Sequence, residues 1–237
     1  MTYSIIARCP RTRRFGVATA TFSIACGRRN ESIRANVGVS KSQAFYLRQV
    51  DVLALNMLAQ GQTPDAIMRS LEQTDPDFAY RQFGIIDREG RVAMHTGAKT
   101  NPWCGHRVGE DFAAYGNTLR GPATVDGIVA GFHASPDAPL EERLLQAIEG
   151  GRKAGGQASH GETMPERSAW LRVVGALDWP EIDLRVDLHT DSIVELRRIY
   201  TEYQRYADYY TQRDRQPRSA VPEQDFAASL ITSETST

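Results

Sequence analysis

The sequence predicts a single α+β domain, and three patterns carry the prediction. Short β-rich runs come in clusters, amphipathic helical stretches come in pairs between them, and turn residues punctuate the joins. Alternating βαβ units would instead place one helix after each strand. A chain of 237 residues can bury a substantial core. Its 41% apolar and 24% charged residues are the balance of a globular chain, not a disordered one.

Residues 2–9 form the first β-rich run, and residues 10–14 a polar turn. Residues 15–21 alternate small apolar and hydroxyl side chains and read as the partner strand; residues 35–42 give a third. Helical periodicity takes over at 46–60, with Val50, Leu53, Leu55, Met57 and Leu58 on one side and Gly61 at the end. Thr63-Pro64 supplies an N-cap and first-turn proline for a second helix through 73. Residues 80–87 and 91–96 flank Asp87-Arg88-Glu89-Gly90 and read as a hairpin. A loop is expected over 97–109, a strand over 111–115, helices over 123–134 and 140–154, and a polar loop over 155–166. Strands follow at 168–174 and 184–188. The last helix starts at Ser192, with Glu195 three residues on in a capping-box pattern, and runs to about 210. Residues 1–212 therefore read as one domain and 213–237 as a disordered tail poor in groups to bury.

Charge and cysteine usage exclude several classes. A net charge of −1 leaves no electrostatic footprint of a nucleic-acid binder. The lysines are Lys41, Lys99 and Lys153 alone, so amine chemistry rests on them or on the N-terminus. Cys9, Cys26 and Cys104 show no CxxC spacing, which argues against a disulfide framework and a structural zinc site. No signal peptide or membrane span is expected, which leaves a cytoplasmic protein. Asp187, His189 and Asp191 are the weak metal suggestion; capping and turn chemistry explains them better, and no metal or cofactor is expected.

The ordered motifs resemble a known family. They begin with Thr2-Tyr3-Ser4-Ile5-Ile6-Ala7-Arg8, Gly16-Val17-Ala18-Thr19-Ala20 and the Val37-Gly38-Val39 strand ending at Gln43. Phe83-Gly84-Ile85-Ile86-Asp87, Gly90-Arg91-Val92-Ala93, Thr96-Gly97, Trp103-Cys104-Gly105-His106 and Gly116-Asn117 follow. Arg143-Leu144-Leu145, Gly155-Gly156, Leu184-Arg185-Val186-Asp187 and Glu195-Leu196-Arg197 complete the set. In this order they resemble the domain of unknown function 1028 family. The resemblance implies a four-layer αββα sandwich related to N-terminal-nucleophile (Ntn) hydrolases such as the proteasome β subunit, and it implies no substrate. The chain departs from the family pattern at Tyr115, where glutamine is common, and at Cys104, where a small residue is usual.

Thr2 is the sharpest catalytic candidate. Removal of Met1 would place an α-amine, with an ordinary pKa of about 7.7–8.0, on the same residue as a hydroxyl, a compact base–nucleophile pair for acyl transfer. The alternative is a β-branched residue that merely opens a strand. Lys41 stands at a strand end, where alternation decides whether it or Ser40 and Ser42 face inward. A comparable strand lysine assists the nucleophile in proteasome-like enzymes; a solvated strand end is the competing reading. Asn117, after Gly116, offers an amide donor to an oxyanion, or a turn residue. Gln43, Trp103, His106 and Arg167 are the candidate substrate contacts, although an ion pair would also explain Glu166-Arg167. Cys104 and His106 form a second possible nucleophile–base pair, set against a structural reading of the loop. The expected function is an amidohydrolase acting on a small amide or cyclic amide. The alternatives are a non-catalytic binding or assembly module on the same fold, or a hydrolase using Cys104. A homodimer is expected, with the Tyr-rich 200–210 segment as aromatic contact surface.

Overall fold

The computed structural model describes residues 1–29 and 33–234. Its strands are β1 Thr2–Arg8, β2 Phe15–Thr21, β3 Ile33–Arg34, β4 Gly38–Ala44, β5 Arg81–Asp87, β6 Val92–Thr96, β7 Gly105–Gly109, β8 Phe112–Asn117, β9 Gln157–Ser159, β10 Glu162–Met164, β11 Ser168–Val174 and β12 Pro180–Val186. The helices are α1 Arg48–Ala59, α2 Pro64–Thr74, α3 Pro122–His133, α4 Leu140–Lys153, α5 Ser192–Arg215 and α6 Glu223–Glu234. The fold is mixed α+β with antiparallel sheets. A six-stranded sheet runs β12-β11-β2-β1-β8-β7, a four-stranded sheet runs β3-β4-β5-β6, and β9 and β10 form a separate hairpin.

The hydrophobic pattern explains the packing. Ile6, Val17 and Trp170 of the larger sheet meet Val39 and Ile86 of the smaller one in one buried cluster. The smaller sheet's opposite face, Phe83 and Ile85, packs on Val50, Leu55 and Leu58 of α1 and Ile67 and Leu71 of α2. Helices α3 and α4 lie on the other side of the larger sheet, against β1, β2 and β8. They approach each other so closely that a Cβ at Gly131 would lie 2.2 Å from the Gln146 carbonyl oxygen. The Thr63 hydroxyl accepts from Ala66 N–H and caps α2 as its sequence predicts.

Some elements differ from the sequence reading. The loop expected over 97–109 contains β7, a short edge strand whose half-exposed residues and terminal glycines give little strand signal. The polar loop over 155–166 contains the β9–β10 hairpin. Strand β12 begins at Pro180 rather than 184, since a proline is tolerated as the first residue of an edge strand. Ser192 is the first residue of α5 rather than its cap: its hydroxyl donates to the Glu166 carbonyl, and Asp191 accepts from Val194 N–H.

Residues Met1–Leu196 form one compact unit and the chain from Arg197 a second. Within the second, α5 continues to Arg215, and α6 follows in the stretch from 213 that the sequence reads as a tail. The ring of Phe226 stacks on Tyr209 at 4.3 Å, and Arg213 pairs with Glu223, contacts that composition does not reveal. Residues 235–237 of the expected tail lie outside the described residues. No helix among the described residues is long and apolar enough to cross a membrane.

Candidate functional site

Strand alternation builds the site. Thr2 sits in register between Thr21 of β2 and Asn117 of β8. Thr2, Ser4 and Ile6 share the face toward the smaller sheet, as the Ser4 hydroxyl bond to Gln43 Oε1 (2.7 Å) and the apolar contacts of Ile6 require. On β4 the same period turns Val39, Lys41 and Gln43 to the space between the sheets. Ser40 and Ser42 turn to α1, where both hydroxyls and the Ser42 N–H donate to the Asp51 carboxylate. Burial raises the Asp51 pKa to about 6, opposed by those hydrogen bonds and by the Lys41 charge.

A cavity of about 80 Å³ opens where Thr2, Thr19, Thr21, Lys41 and Gln43 converge beside Met1. The hydroxyls of Thr2 and Thr21 both donate to the Met1 carbonyl, at 2.5 and 2.6 Å, and lie 3.0 Å apart. Burial lowers the pKa of the Met1 α-amine. Lys41 is only 6% exposed.

Behind the cavity lies an amide hub centred on Gln82. Its Nε2 faces the carbonyls of Gly116 (2.7 Å) and Gly105 (3.2 Å), which can only accept, so the orientation of the amide is fixed. Gln82 Oε1 then accepts from Gln43 Nε2 (2.9 Å) and Asn117 Nδ2 (3.2 Å). Ser4 spends its single hydrogen on Gln43, so the Thr19 hydroxyl must be the donor in the 2.9 Å Thr19–Ser4 bond. At the other end Gln82 Nε2 donates to Thr96 Oγ1, which lies 2.8 Å from His106 Nδ1. Which group donates follows the tautomer of the neutral imidazole: Nδ1 accepts from Thr96 when the ring proton is on Nε2 and donates to Thr96 when it is on Nδ1. The His106 pKa is lowered by burial, with smaller effects of His95 and Arg107, in agreement with that neutral form.

A family model described as a family of unknown function (DUF1028) matches residues 2–196. The chain belongs to that family. Its fold is similar to the crystal structure of a DUF1028 protein from Silicibacter pomeroyi, with a TM-score of 0.74 and 29% identity over 85% of this chain and 88% of that one. No curated protein matches.

Within this DUF1028 domain, the residues singled out by sequence fall into two groups. Thr2, Lys41 and Gln43 line one cavity. Asn117 pairs with Thr2 in register, but its side chain is buried against Gln82 and does not line the cavity. Trp103, His106 and Arg167 do not line it either. Trp103 covers Gly105, where a Cβ would be 2.5 Å from the indole, and His106 joins only through Thr96 and Gln82. The Arg167 guanidinium stacks 4.1 Å over the Phe22 ring and donates to the Phe22 carbonyl. The Cys104 thiol donates to the Thr100 carbonyl, and burial raises its pKa; His106 is engaged elsewhere. His189 Nδ1 accepts from Asp191 N–H and Asp191 pairs with Arg152; among the described residues no group of three or more His, Cys, Asp or Glu is placed to hold a metal.

Sequence reasoning did not reach Gln82, Ser4 or Asp51. The hydroxyl alternation of Thr19 and Thr21 was visible along β2, whereas the role of Gln82 depends on the β4–β5 register, which only folding reveals.

Proposed function

We propose that this chain is an amidohydrolase of the Ntn type, acting on a small amide or cyclic amide through Thr2 after removal of Met1. The observation that carries the reading is the Thr2 hydroxyl at a cavity between two facing sheets, beside buried Lys41. Helices α1 and α2 on one outer face and α3 and α4 on the other support a four-layer αββα sandwich of the Ntn-hydrolase type. Loss of Met1 would free the volume its backbone now fills and leave the Thr2 nitrogen as an α-amine at the cavity.

That amine takes the Oγ1 proton as Oγ1 attacks the substrate carbonyl carbon, and the same proton passes to the departing nitrogen when the C–N bond breaks. Water, deprotonated by the amine, then cleaves the acyl ester and returns the hydroxyl. Lys41 stabilises negative charge beside Oγ1. Asn117 is held against Gln82 off the cavity lining, so the oxyanion is left to Lys41 and backbone N–H groups. The reading includes a small-molecule substrate, no cofactor, a cytoplasmic setting and a homodimer. A Cys104 nucleophile has less support, because its thiol has no imidazole partner and a raised pKa.

The test is a panel of linear and cyclic amides with three variants. Thr2→Ala is expected to abolish turnover and to change stability by no more than about 0.5–1 kcal/mol, because once Met1 is removed the partner left to this half-buried hydroxyl is Thr21. Thr2→Ser is expected to retain activity. Cys104→Ser abolishing turnover while Thr2→Ala keeps it would overturn the assignment.

A further inference from the structure

The opposite end of β1 carries a second concave site. Arg8 closes that strand six residue steps from Thr2, roughly 20 Å along it. Here a cleft of about 500 Å³ opens between the β1–β2 turn, the β5–β6 turn and Asn36, with Phe15 behind it. Ligand pockets typically have volumes of about 300–1,000 Å³. Arg8, Arg13 and Arg88 line the cleft with Glu89, and Asp111 beside them pairs with Arg8.

The walls are fixed. Arg8 N–H donates to the Asp111 carbonyl and its Nη1 to Asp111 Oδ1, both at 2.8 Å. Gly90 closes over this pair, where a Cβ would lie 2.1 Å from Asp111 Oδ1. Arg13 is held at its backbone, its N–H donating to the Cys9 carbonyl at 2.7 Å.

The donors, by contrast, are under-used. Arg8 Nε–H is buried with no partner. Arg13 has no side-chain partner among the described residues. Arg88 offers one contact to Glu89, a carboxylate that Arg91 shares. Each guanidinium presents five N–H donors in a planar fork, so most donors on this wall are unmatched. Three arginines on one cleft favour an anion there, and guanidinium forks match the geometry of phosphate and carboxylate oxygens. Fixed walls with unsatisfied cationic donors are the makeup of an oxyanion site. A concave cleft in a chain of net charge −1 suits a small molecule better than a nucleic acid.

We propose that the cleft walled by Arg8, Arg13 and Arg88 is a second ligand site, which takes a small molecule bearing a phosphate or carboxylate group. The site is independent of chemistry at Thr2.

Calorimetric titration of the full chain with inorganic phosphate, pyrophosphate and citrate, at ionic strength held constant with chloride, tests it. Saturable one-site binding of at least one probe is expected. Arg13→Ala with Arg88→Ala, at two exposed positions, is expected to weaken it by about tenfold or more. The double lysine variant keeps the charge and loses the fork, and is expected to fall between wild type and the alanine variant. Preference for phosphate and pyrophosphate assigns a phosphate-bearing ligand, and preference for citrate a carboxylate. Absence of saturation with all three probes overturns the proposal, as does wild-type affinity in the alanine variant. Loss of binding in Thr2→Ala would place the anion in the other cavity and equally overturn it; unchanged binding there supports a separate site whatever Thr2 does.

Discussion

Around Ile6 and Trp170 the two sheets meet through apolar side chains; around Thr2 and Gln82 they meet through hydroxyls and amides. The same strands build both halves. Along β1 the face changes from Ile6 to Ser4 and Thr2, along β2 from Val17 to Thr19 and Thr21, and along β4 from Val39 to Lys41 and Gln43. An apolar interface throughout would serve a scaffold at least as well, since buried polar groups cost free energy unless every partner is supplied. Here the partners are supplied, through a directional network that fixes each amide, and the network ends at a cavity. The apolar half packs the sheets together, and the polar half lines the cavity that the proposed chemistry would use.

Three substitutions sharpen that division. Ile6→Ala, in the apolar half, has the largest expected effect on stability, about 2–5 kcal/mol in denaturant unfolding. The variant should still fold around an unchanged Thr2 site, so a selective loss of chemistry in folded protein would blur the distinction.

Next comes pH. Asp51 has its pKa raised from 3.8 to about 6, so the folded state holds a proton that the unfolded chain releases. Its contribution is greatest below about pH 4, falls as pH rises toward 6 and is flat above, by up to about 3 kcal/mol in all. Asp75, Asp183 and Asp191 have lowered pKa values and act in the opposite sense, so the readout is the difference between wild type and Asp51→Asn. That difference should change across pH 4–6 and be constant from pH 7 to 8; a constant offset throughout would mean that Asp51 titrates normally.

Gln82→Leu should cost about 1–3 kcal/mol, because it strands the Gly116 carbonyl and the Gln43 and Asn117 amides. It should also change the His106 titration seen by NMR, since Thr96 loses a donor. An unaltered His106 pKa would break the chain of bonds inferred between the cavity and β7.

The sequence carried much of this organisation. Paired strands and helices and the Thr63-Pro64 cap follow from local pattern, because alternation and capping are local physics, whereas the face that Lys41 takes is open until the β4 register is known. Asn117 could be placed beside Thr2 as a candidate, but not its burial against Gln82, which depends on how the two sheets oppose each other. Trp103, His106 and Arg167 looked like cavity residues by residue type, yet their side chains are engaged by Gly105, Thr96 and Phe22. Edge strands such as β7 and β12 carry little burial and therefore little periodic signal.

The most direct test of the central claim is intact-mass spectrometry of untagged protein before and after treatment with an acylating β-lactone, with the adduct mapped by fragmentation. The account predicts a chain lacking Met1 that gains a single acyl group on the Thr2 hydroxyl, and no adduct in Thr2→Ala. A reactive chain that retains Met1, or an adduct on Cys104 that persists in Thr2→Ala, would contradict it.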